Sequence, residues 1–134
     1  MRQSTWSDGS PLTAFDFEYA WKRGINPLTN SPHSNIWQYT NIVGVIDALY
    51  NEGSLDDVGI EAINDDTLVV HLTEPTPYFV SLTSFYHFMP VKQSAVEASV
   101  SWAITPSLAV SNGSFVLTGY SHENNFTLEK NEEY

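Results

Sequence analysis

Short helices mixed with antiparallel hairpins, an α+β arrangement, are the architecture expected of these 134 residues. Three features point to it. A capped amphipathic helix opens at Thr13, one hairpin pattern covers 59–72, and another covers 114–130. A chain of this length encloses one modest core, so residues 1–134 read as a single domain. Its residues are 42% hydrophobic and 13% aromatic, a composition that packs and does not stay disordered.

The helix is the clearest element. Thr13 is the expected N-cap with Asp16 at the third helical position, and Leu12 and Phe17 are placed to form a hydrophobic staple. Phe17, Ala20 and Trp21 share one face. Gly24 is the expected stop, and Asn26-Pro27 blocks continuation. Residues 26–35 (Asn-Pro-Leu-Thr-Asn-Ser-Pro-His-Ser-Asn) are turn formers and predict a surface loop.

Residues 36–50 predict short helical segments ended by Asn51-Glu52-Gly53. The strands 59–63 and 67–72 meet across Asn64-Asp65-Asp66, with Leu68, Val70 and Leu72 on one side and Val69 and His71 on the other. Pro75-Thr76-Pro77 ends that strand and opens a helix through Phe79 and Leu82. A further short helix is expected over 90–98, and an irregular connection over 99–111. The last hairpin joins 114–120 to 125–130 through Ser121-His122-Glu123-Asn124. The segment before Trp6 reads as too short to complete a strand pair, and Tyr134 as an aromatic with nothing to pack it.

Sixteen acids against five Lys and Arg give a net charge of −11. That charge repels phosphate backbones and anionic headgroups, so neither nucleic acid nor a membrane surface is an expected partner. The run Ile42-Val43-Gly44-Val45-Ile46 is far too short to span a bilayer. With no cysteine, disulfides, a catalytic thiol and Cys-based metal sites are excluded. Met1 is not followed by a basic and then an apolar segment, so no secretion signal is expected within these residues, and if the protein is exported its signal lies outside them.

A search for chemistry finds little. His33, His71, His87 and His122 lack the spacing of a zinc site and read as packed or solvated histidines. Asp56-Asp57 and Asp65-Asp66 do not follow a calcium-loop pattern and read as turn charges. Asp16 and Glu18 sit near a helix start, where the helix dipole accounts for acids without catalysis. No nucleophile elbow, phosphate-cradling loop or dinucleotide fingerprint is present, so no cofactor is expected. Asn112-Gly113-Ser114 and Asn125-Phe126-Thr127 match the glycosylation sequon but read as turn and strand residues. The residues alone read as a binding or structural domain, with a hydrolase of scattered carboxylates as the alternative from another class.

The run Trp6-Ser7-Asp8-Gly9-Ser10-Pro11-Leu12-Thr13-Ala14-Phe15-Asp16-Phe17-Glu18-Tyr19-Ala20-Trp21-Lys22-Arg23 adds to that reading. It resembles a segment of the family 5 solute-binding proteins, the peptide, dipeptide and nickel receptors of ABC importers. Further blocks follow in the family's order: Asn26-Pro27 with Ser31-Pro32, Val58-Gly59-Ile60 with Asp66-Thr67-Leu68, and Leu72-Thr73-Glu74-Pro75-Thr76-Pro77-Tyr78-Phe79. Pro90-Val91, Asn112-Gly113-Ser114-Phe115, and Leu128-Glu129-Lys130-Asn131 with Tyr134 complete the series. Within these blocks Gly9 is expected to take a positive φ in the turn before the helix, and Gly113 to turn the chain into the last hairpin.

The resemblance implies one inserted domain from the first lobe of a periplasmic-binding-protein-like (class II, flytrap) receptor. It implies an oligopeptide ligand, with a nickel chelate, a sugar or a modified peptide as alternatives. It also implies ABC permease subunits as partners, an extracytoplasmic and lipid-anchored location, and no catalysis. His33 corresponds to a position where peptide-binding members often carry Tyr after Ser-Pro, so His33 is the expected ligand-contacting residue. Absence of neighbouring domains would bare apolar surface around Trp6, Phe126 and Tyr134, and a dimer covering them is expected.

Overall fold

The computed structural model describes residues 3–134, which form three separate two-stranded antiparallel sheets and four short α-helices joined by 3₁₀ turns. The core is arranged about α1 (Ala14–Ile25). Its capping box is present, and Asp16 supplies the short arm: Thr13 N–H donates to Asp16 Oδ2 at 2.8 Å. Trp6 Nε1 donates to the same oxygen at 3.4 Å. Asp16 therefore ties the helix start to the segment that precedes it.

That segment departs from expectation twice. Residues Ser4–Thr5 (β1) do pair, with Pro11–Leu12 (β2), in the register Ser4↔Leu12 and Thr5↔Pro11. Between them Gly9 adopts φ 79°, as its turn requires. Trp6 is only 2% exposed, so it belongs to the interior and not to an association surface. The helix keeps Trp6 inward because its indole N–H has a partner there.

Ala14, Ala20, Trp21 and Ile25 form the buried face of α1. Gly24 does not stop the helix, which runs on through Ile25 to an Asn26 cap. A Cβ on Gly24 would lie 3.0 Å from the Trp37 ring, so this glycine makes room for an indole. Gly113 likewise takes no positive φ, and its carbonyl instead accepts Asn131 Nδ2 at 2.7 Å.

The hairpin of β3 (Ile60–Asn64) and β4 (Thr67–Val70) lies on α1, paired from Ile60↔Val70 to Asn64↔Thr67 with a bulge after Ala62. Leu68, Val70 and Leu72 all pack on the core, the face their alternation assigns them. Glu18 Oε2 accepts the Ala62 N–H at 2.9 Å and fastens helix to sheet. Gly44 opens α2 (Val45–Tyr50) at φ 77°, where a Cβ would sit 2.5 Å from the Asp57 carbonyl oxygen.

Two more helices, α3 (Phe79–Leu82) and α4 (Gln93–Ala98), flank a 3₁₀ turn at Tyr86–Phe88. Residues 99–111 hold turns without a helix or strand. The chain ends on β5 (Phe115–Ser121) and β6 (Asn125–Lys130), and every residue of β6 is exposed. Phe126 and Tyr134 are 68% and 80% exposed.

Candidate functional site

The loop 26–35 is fixed at its base by its own polar residues. Asn26 Oδ1 accepts the Leu28 N–H at 2.9 Å, and Thr29 Oγ1 donates to the Arg23 carbonyl at 2.7 Å. Asn30 then turns the chain in the left-handed region at φ 52°. His33 follows as the exposed residue capping the 3₁₀ turn Ser34–Tyr39, with its carbonyl accepting the Ile36 N–H at 3.1 Å.

Trp37 anchors that turn. It is 1% exposed, and its ring centroid lies 4.5 Å from Phe88 and 5.9 Å from Trp21. Trp21 meets Phe88 edge-on at 5.3 Å and donates Nε1–H to the Phe88 carbonyl at 2.8 Å. This triad of large rings clamps together two stretches distant in sequence, one just after His33 and one just after His87.

The result is a contact between the two histidines. The rings of His33 and His87 meet edge-on with centroids 5.4 Å apart, and Tyr86 lies over His87 at 4.0 Å. His87 Nδ1 is shielded from solvent and has no hydrogen-bond partner. Burial pushes the His87 pKa below its usual value, and the neighbouring His33 pushes it further the same way. His87 is thus neutral at neutral pH. Tyr86 is 67% exposed, and Phe85 and Met89 on either side are each 50% exposed.

This surface offers flat rings, and the exposed His33 imidazole adds hydrogen-bonding nitrogens. The residues of this surface form no nucleophile–base pair. Asp16 and Glu18, the acids expected near the helix start, are both engaged in structure: Asp16 in the cap, Glu18 in an ion pair with Lys22 at 2.8 Å and in the bond to Ala62. Among the described residues, no group of three or more His, Asp or Glu converges to hold a metal ion. The sequence singled out His33 but gave no hint of His87, which reaches it only through the Trp37–Phe88 contact.

A family model for the bacterial extracellular solute-binding proteins, family 5 (Middle), matches residues 2–134. The chain belongs to this family. As a family 5 chain it is similar to the oligopeptide-binding protein OppA of Bacillus subtilis (strain 168), with 45% identity over 130 residues. That match covers 96% of this chain and 24% of the relative, so the chain spans about a quarter of its length. Among solved structures it is similar to the Escherichia coli murein tripeptide binding protein MppA, with TM-score 0.93 and 30% identity over 100% of this chain and 26% of that one. It is also similar to Haemophilus influenzae OppA in complex with the peptide RPPGFSPFR, with TM-score 0.90 and 33% identity over 98% and 26% of the two chains. The mixed helix and antiparallel-strand fold is therefore that of a domain of periplasmic binding proteins.

Proposed function

We propose that this chain is the domain inserted in the first lobe of an oligopeptide receptor, and that His33, Tyr86 and His87 form the part of its rim that meets peptide. The observation that carries this reading is the His33–His87 contact, displayed to solvent on a rigid base of Trp21, Trp37 and Phe88. A preformed aromatic surface binds with little ordering cost, which suits a peptide of variable sequence. The B. subtilis relative is named for oligopeptide binding, and the H. influenzae neighbour holds RPPGFSPFR.

The receptor would capture peptides outside the cytoplasmic membrane, held there by a lipid anchor, and deliver them to ABC permease subunits without chemical change. A thermal-shift screen of the full-length receptor tests the ligand class, because a ligand that binds only the folded state raises apparent stability. Oligopeptides should raise the midpoint, while sugars and nickel chelates leave it unchanged. A response to sugars or nickel chelates alone would reject the peptide reading. A response to murein tripeptide alone would narrow it to a modified peptide. The 134-residue chain by itself should not bind a mixed peptide pool measurably in calorimetry, since one rim cannot repay the entropy of association. Micromolar binding by the chain alone would contradict the two-lobe picture.

A further inference from the structure

The face of α1 turned away from the core carries a cavity of about 440 Å³, within the range of small-molecule sites. Phe15, Tyr19 and Arg23 line it at four-residue spacing along one helix face. Leu55, from the 3₁₀ turn Leu55–Asp57, and Gln93, from α4, line it from the other sides. Phe15 is 50% exposed, an apolar ring on what would otherwise be a solvent face.

Charge makes the cavity distinct from the rest of the surface. Lys22, Lys92 and Lys130 each pair with a carboxylate, of Glu18, Asp8 and Glu132 respectively. Arg23 is the one Lys or Arg among the described residues that joins no ion pair, in a protein with 16 acids. Its neighbours in the cavity also retain hydrogen-bonding capacity. Asn26 spends its Oδ1 on Leu28 N–H, which leaves its amide NH₂ as a donor. Burial raises the Tyr19 pKa and Glu97 raises it further, against an opposing pull from Arg23, so the hydroxyl keeps its proton and can donate.

We infer that this cavity binds a small carboxylate with an apolar body, the carboxylate on Arg23 and the body between Phe15 and Leu55. A guanidinium meets a carboxylate through two parallel hydrogen bonds, and Asn26 and Tyr19 supply further donors. Glu18 and Lys22 both line the cavity and neutralise each other as an ion pair, which leaves Arg23 as its one unpaired charge; with Glu97 acting on Tyr19, a monoanion matches the site better than a phosphate dianion. The inference does not rest on the peptide reading, because the cavity shares no residue with His33, Tyr86 or His87.

Benzoate, benzamide and phenyl phosphate distinguish the terms. Their effects are read as amide shifts in the ¹⁵N-labelled protein. Benzoate should shift Tyr19, Arg23 and Asn26 saturably. Benzamide, the same size without the charge, should bind about ten-fold more weakly or worse. Phenyl phosphate should also bind more weakly than benzoate. Arg23→Gln should abolish the benzoate response, whereas Lys130→Gln should leave it unchanged. Equal binding of benzoate and benzamide would overturn the inference, as would non-saturating benzoate shifts or a retained response in Arg23→Gln. Tighter binding of phenyl phosphate would overturn the monoanion assignment. The benzoate–benzamide comparison uses the unaltered protein, so it decides the matter even if Arg23→Gln fails to fold.

Discussion

The two ends of the molecule are built from equally plain local patterns, yet only one of them is packed. At one end α1 and the β3–β4 hairpin enclose a core in which Trp21, Trp37 and Phe88 are at most 4% exposed. At the other the β5–β6 hairpin pairs from Phe115↔Lys130 to Ser121↔Asn125 and leaves all of β6 exposed. Alternation and turn residues suffice to make a hairpin, whereas a core needs rings brought together from distant parts of the chain. The exposed hairpin is fastened chiefly at its base: Asn131, 4% exposed, donates from Nδ2 to the Gly113 carbonyl and accepts the Glu133 N–H at 3.1 Å.

This contrast is easiest to break with large-to-small changes. Trp37→Ala should cost about 3–5 kcal/mol in urea unfolding, because it empties a site that Trp21, Phe88 and Gly24 surround. Phe126→Ala, on the exposed strand, should change stability by less than about 0.5 kcal/mol. Similar costs at the two positions would mean that the hairpin is packed in solution. Asn131→Ala should cost about 1–2 kcal/mol by orphaning its partners. Hydrogen exchange should then speed up in β5 and β6 but not in α1; uniform loss of protection would show that the two regions unfold as one.

The helix start sharpens the comparison at smaller scale. Asp16→Ala should cost about 1 kcal/mol and Thr13→Ala less, since Asp16 makes the short arm of the capping box and also holds Trp6. A larger loss in Thr13→Ala would assign the cap to the hydroxyl. Acid should act in two separate windows, through His87 and through Asp8, both outside the β5–β6 hairpin. His87 titrates below its usual 6.5 when folded, so the unfolded chain binds more protons in that interval. Its contribution is fully present above about pH 6.5 and is lost as pH falls below it; His87→Gln should remove that slope. Burial works to raise the Asp8 pKa, but hydrogen bonds from Lys92 and Ser10 outweigh it and hold the carboxyl at about 2. Its contribution is lost only as pH falls from 3.8 towards 2, and Asp8→Asn should remove that second slope. A pH profile unchanged in either variant would contradict the assignment.

Legibility in the sequence followed the range of the interactions. The capped helix, both hairpins and the irregular connection over 99–111 are local matters, and they stand where alternation, caps and turn residues put them. Gly24 was misread because its role is not backbone freedom but room for Trp37, thirteen positions away. Trp6 was misplaced for the same reason: its burial depends on Asp16 accepting its indole N–H, which no periodicity shows. At the candidate site His33 was visible only through family resemblance. His87 was invisible because 54 residues separate it from His33 and a shared aromatic base joins them.

Binding by the full-length receptor tests the central claim, that the His33 loop is a peptide-facing rim on a rigid base. The measurement is calorimetric titration of the best peptide against wild type, His33→Ala and His33→Tyr. A rim contact contributes modestly, so His33→Ala should weaken binding by roughly 1 kcal/mol, about a five-fold rise in Kd. His33→Tyr should preserve or improve affinity, because a larger flat ring with a hydroxyl replaces the imidazole at the same exposed position. Equal affinities for all three proteins would contradict the account and leave His33 as a loop histidine in solvent.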